Sequence, residues 1–103
     1  MEIIVHIIKD LNRFLNLGLY ILLDSERICL MCLRSRDVIK SFPATTSLDL
    51  YNYLLELKKL ITSWDNNRML GKFQTAYTLR RQIMLHYRFD IDKHFNYNKY
   101  GTN

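Results

Sequence analysis

The chain has 103 residues, with 15 Lys and Arg against 10 Asp and Glu, a formal net charge of +5, and 49% apolar residues. That length is one domain's worth and can bury a single core without disulfide or metal staples, while 24% charged residues with an ordinary apolar share exclude wholesale disorder. No apolar run approaches the roughly 20 residues a membrane-spanning helix needs, so no membrane partner is expected.

The first positive charge, Lys9, follows the opening apolar stretch rather than preceding it, the reverse of a secretory leader. Cys29 and Cys32 are too few and too close for a disulfide framework. Both features lead us to expect a reducing, intracellular setting, in the cytoplasm or inside an organelle or host cell.

Ile4, Ile7, Ile8, Leu11, Phe14 and Leu15 recur at intervals of three and four, which predicts a helix over residues 3–17. Gly18 stands where a left-handed C-terminal residue belongs. Residues 19–23, 28–33 and 38–42 are short apolar runs separated by Asp24-Ser25-Glu26-Arg27 and Arg34-Ser35-Arg36-Asp37, the texture of a three-strand meander closed by Pro43. The middle run is apolar on both faces and is expected to be covered on both.

Thr46 with Asp49 reads as a capping box. Leu50, Leu54, Leu57, Ile61 and Trp64 then form a seam at spacings of four and three. Asp65-Asn66-Asn67 is expected to break this helix. A second helix is expected from about Arg68 to Phe89, with Met69, Phe73, Ala76, Tyr77, Ile83, Met84 and Tyr87 on one broad face. So short a break folds two helices back as an antiparallel hairpin. Residues 90–103 show no helical period. The expected fold is one α+β domain: helix plus meander over 1–43, a basic helical hairpin over 44–89, and an irregular tail over 90–103.

Three candidate chemistries reduce to bland readings. Cys29-Leu30-Met31-Cys32 is half a zinc site, but no second pair exists, and on a strand the two thiols face opposite ways. Asp90, Asp92 and His94 would share a face on an extended segment, as polar groups of any solvated tail do, and no fourth ligand supports a cation. There is no Gly-rich phosphate loop, nucleophile elbow or His-Glu-x-x-His helix. No enzyme, metal or cofactor is expected.

The remaining signal is charge. Between Lys58 and Arg88 stand Lys58, Lys59, Arg68, Lys72, Arg80, Arg81 and Arg88 against one acid, Asp65. A neutral solvated face would mix signs at helical spacing, whereas this field favours a polyanion or an acidic surface. Arg80 falls inside the apolar arc of Phe73, Tyr77, Met84 and Tyr87. Either an acid such as Glu56 or Asp49 meets it, or the arc is not fully covered and Phe73, Tyr77, Tyr87 and Arg80 form a surface that can stack single-stranded bases or serve as a protein hot spot. The expectation is a non-enzymatic module binding nucleic acid through these residues. The alternative is a protein-interaction module, either a homodimer or an adaptor for an acidic partner.

Two partial likenesses each cover less than half the chain. Residues 50–55 with Arg80-Arg81 resemble the mitochondrial LYR-motif adaptors, although Asn52 replaces the defining arginine. Residues 57–62 and 68–71 resemble a small-subunit ribosomal protein family, although the spacing is shorter. No family is assigned.

Overall fold

The computed structural model describes residues 1–97. Helix α1 (Glu2–Phe14) leads into strands β1 (Leu19–Leu23), β2 (Arg27–Cys32) and β3 (Asp37–Pro43). A single 3-10 turn (Ala44–Thr46) precedes α2 (Ser47–Met69), α3 (Phe73–Tyr87) and a one-turn helix, α4 (Ile91–His94). The α+β architecture read from the sequence holds, with the strands in the antiparallel order β1-β2-β3.

Helix α1 buries Ile4, Ile7, Ile8 and Leu11, the stripe its period required. It ends three residues earlier than the period suggests, because Leu15 turns extended and bridges to Phe95. The Asn16 N–H donates to the His94 carbonyl at 2.7 Å, and the Asn96 N–H donates to that of Phe14. Helical hydrogen bonds are thus exchanged for pairing with the C-terminal segment. Asn12 anchors the next element: its amide donates to the Leu19 carbonyl at 3.0 Å and its oxygen accepts the Leu19 N–H at 2.8 Å. Gly18 has φ +62, and a Cβ there would lie 2.9 Å from the Leu33 Cβ. Glycine is required for both conformation and space.

In the first hairpin turn the Asp24 carboxylate accepts the N–H groups of Glu26 (2.8 Å) and Arg27 (2.7 Å). These two bonds hold its pKa below the ordinary aspartate value. The sheet buries Leu19, Ile28, Leu30, Cys32 and Phe42 on the face that α1 and α2 cover. The expectation that β2 is covered on both faces is corrected. Cys29 and Met31 on its other face are only half-buried, flanked by exposed Tyr20, Leu22 and Val38. The two thiols are free and face opposite ways: Cys32 Sγ lies 3.4 Å from the Leu17 carbonyl, and Cys29 Sγ lies 3.6 Å from the Ser41 hydroxyl.

The capping box does not form, because the Thr46 hydroxyl donates back to the Pro43 carbonyl at 3.0 Å. Helix α2 buries its whole seam from Leu50 to Trp64 and runs straight through Asp65-Asn66-Asn67. The reason is that these side chains find partners without leaving the helix. Buried Asp65 binds Arg68 one turn on, and the Asn67 amide donates to the Ser63 carbonyl at 2.8 Å. The break comes at Gly71, with φ +74. There the Gly71 N–H donates to Arg68 (3.1 Å) and the Lys72 N–H to Asn67 (2.8 Å), a Schellman ending.

Residues 90–97 are not an irregular tail. The Asp90 carboxylate caps α4 by accepting the Asp92 N–H at 3.0 Å, and Ile91 and Phe95 are buried. Residues 98–103 of the expected tail lie outside the described residues. One hydrophobic cluster joins α1, the sheet, α2, α3, α4 and Phe95.

Candidate anion-binding surface

Helix α3 buries only Ala76, Ile83 and Tyr87. Its other side carries Phe73, Tyr77, Met84 and Leu85 exposed to solvent, with Phe73 69% and Tyr77 49% accessible. The broad apolar face expected from the sequence is therefore split into a buried stripe and an uncovered one. Arg80 sits between them, half-buried, with its guanidinium centre 5.4 Å from the Tyr77 ring centroid. Its acids come from neither Glu56 nor Asp49: Asp90 lies 3.6 Å away and Asp92 3.4 Å. Among the described residues no three His, Cys, Asp or Glu side chains cluster to hold a metal.

The seven basic residues do not act as one face. Lys58 pairs with Asp10 of α1 at 2.9 Å and, with Lys59, borders a shallow cleft made by α2 alone. The Asp10 carboxyl is held below its ordinary pKa chiefly by this Lys58 bond. Arg80 and Arg81 border a different cleft, with Met84 and Leu85. Lys59, Lys72, Arg81 and Arg88 are exposed and have no carboxylate within ion-pair distance among the described residues.

Two expected site residues are corrected. Arg68 is a structural cation: it binds buried Asp65 and lies 5.1, 5.6 and 5.2 Å from the ring centroids of Trp64, Phe95 and Tyr97. Replacing Asp65 by Ala should cost about 2–4 kcal/mol, because the part-buried Arg68 charge stays behind without its buried carboxylate partner. Urea unfolding checks this; a loss under about 0.5 kcal/mol would reduce the pair to a surface contact. Tyr87 is buried too, and its hydroxyl donates to the Tyr53 carbonyl at 3.2 Å. Burial raises its phenol pKa and pushes that of Tyr53 up to about 12, although Arg88 pulls the latter down. A ring packed in this way cannot stack on a base.

At its C-terminal end the uncovered side of α3 runs into an open groove of about 490 Å3. Its walls carry Arg34, Arg88, Lys93 and His94, and Leu17 and Cys32 lie among its apolar lining. Arg34 comes from the β2–β3 turn, where its Nη1 donates to the Asn16 carbonyl at 3.2 Å. Arg88 closes α3 in the left-handed conformation, φ 58. Among the described residues the buried His94 Nδ1 has no hydrogen-bond partner. Desolvation first, then the Arg34 charge, holds the ring's pKa below the ordinary histidine value, with Asp90 opposing and Lys93 reinforcing.

Sequence reasoning named Arg88 but missed Arg34 and Lys93, which lie in a polar turn and in the supposed tail. Nothing local marks them, because only the chain path joins three distant segments. Set against models of protein families, curated proteins and solved structures, the chain matches none of them.

Proposed function

We propose that the protein is a non-enzymatic binding module for single-stranded nucleic acid, held along the uncovered side of α3. The observation that carries this reading is the pairing of exposed aromatic rings, Phe73 and Tyr77, with the free cations Lys72, Arg81 and Arg88. Helix α3 itself contains no acid. Bases stack on such rings whatever their sequence, while the cations track the backbone. A helix of 15 residues gives a strip about 22 Å long. The free thiols suit the reducing interior of a cell.

Anisotropy titrations with single- and double-stranded DNA and RNA test this. Affinity should fall steeply with salt, and replacing Lys72, Arg81 and Arg88 by Gln should reduce the log–log salt slope by about 2. Tyr77→Ala should cost about 1–3 kcal/mol on single strands and less on duplex. The absence of binding to every strand at low salt would refute the reading.

A protein partner, or a second copy of the chain, is the second reading. Leu70 and Leu85, 71% and 70% exposed, favour it, because aliphatic side chains add nothing to base stacking. Light scattering discriminates: a mass independent of concentration counts against self-association.

A further inference from the structure

The groove at the end of α3 has more positive charge than one backbone phosphate would use. Arg34 from the β2–β3 turn, Arg88 from α3, and Asp90 and Lys93 from the α4 segment are the charged groups on its walls. Asp90 is already engaged, 3.6 Å from Arg80 and accepting the Asp92 N–H at 3.0 Å. Three cations are therefore left facing one space. Backbone phosphates of a strand are monoanions, whereas a terminal phosphate monoester is close to a dianion at neutral pH.

We propose that this groove binds a phosphate monoester, the phosphorylated end of a strand lying along α3. The strand rests on the nucleic-acid reading above; the phosphate site does not.

Four further observations support the assignment. The Arg34 guanidinium spends one N–H on the Asn16 carbonyl and keeps the rest of its fork for an oxyanion. Arg88 occupies a left-handed backbone position, φ 58, that glycine would fill with less strain; the arginine there supplies charge at the groove. Apolar lining such as Leu17, Cys32 and Ile39 lowers the local dielectric and strengthens each charge contact. The groove is continuous with the α3 strip, since Met84 and Arg88 belong to both.

His94 is the reporter. Desolvation, and after it the nearby cations, disfavour its protonated form, and a bound dianion should reverse the electrostatic part and raise its pKa. His6 and His86 are exposed and lie outside the groove, so they serve as internal references.

The experiment is an NMR titration of the three imidazoles with inorganic phosphate above pH 7, at constant ionic strength against chloride. A saturable shift and a raised pKa at His94 alone are expected. The double variant Arg34→Gln, Lys93→Gln should weaken phosphate binding by at least about tenfold, while Lys9→Gln, exposed on α1 and outside the groove, should leave it unchanged. Arg88→Gly should weaken phosphate binding with no loss of melting temperature, which separates ligand binding from folding.

Oligonucleotides bearing a 5′-phosphate, a 3′-phosphate or neither then identify the strand end. One phosphorylated form should bind the wild type about tenfold more tightly than the unphosphorylated strand, and the double variant should abolish the difference. A phosphate effect no larger than that of chloride, or one that survives the double variant, overturns the site. If phosphate titrates His94 but no oligonucleotide binds, the site stands and the strand reading falls. If strands bind without regard to their ends and phosphate does not, the reverse holds.

Discussion

Leu54→Asp or Ile61→Asp should unfold the entire chain rather than release the helical hairpin alone. Both side chains are fully buried in α2, the helix that touches α1, β3 and α3. Placing a carboxylate there loses the apolar burial and leaves a charge without a partner, at a cost of several kcal/mol. A domain of this size has a total stability of only about 5–15 kcal/mol. Two measurements check the result: circular dichroism for the helices and sheet, and the fluorescence of Trp64, which is buried in the same cluster. If the sheet signal survives while helix content falls, the sheet and hairpin have separate cores and the single-cluster account is wrong.

The second large effect is expected where the sequence looked least structured. Phe95→Ala should cost about 3–5 kcal/mol, the usual range for truncating a fully buried aromatic. Phe95 is 2% exposed and stacks with Phe14 at 6.3 Å between ring centroids. It also meets Trp64 edge-on at 5.1 Å and sits 5.6 Å from the Arg68 guanidinium. Its removal opens the junction where the end of α1, the end of α2 and the C-terminal segment meet. Each kcal/mol should lower the melting temperature by about 4–8 °C in a domain near this size. A melting temperature within about 2 °C of the wild type would show that residues 90–97 lie on the core without contributing to it.

The two substitutions differ in what announced them. The importance of Leu54 and Ile61 is legible in the sequence, because a seam at spacings of four and three is a property of neighbouring residues and of helix geometry. The same holds for the α1 stripe and for the three apolar runs of the meander. Phe95 carries no such mark: one aromatic in a polar segment gains its role from a bridge to Leu15, eighty residues earlier in the chain.

Helix boundaries show the same division. Asp65-Asn66-Asn67 has the composition of a break, and would break an isolated helix, but Asp65 is buried and bound by Arg68. Its carboxylate has no need of the turn conformation it would otherwise favour.

For the candidate site, the sequence determined how much positive charge there is and that an aromatic-and-arginine arc exists around Arg80. Only the tertiary structure decided which cations are free. Lys58, Arg68 and Arg80 are paired with Asp10, Asp65 and the Asp90–Asp92 pair, whereas Lys59, Lys72, Arg81 and Arg88 are left exposed. It also decided that Tyr77 faces solvent while Tyr87 packs inward, and that Arg34, Arg88 and Lys93 share one groove. The physical reason is range. Periodicity and turn chemistry act over a few residues and are written in local order. Ion pairing and burial depend on which distant segments the folded path brings together, and no local pattern encodes that.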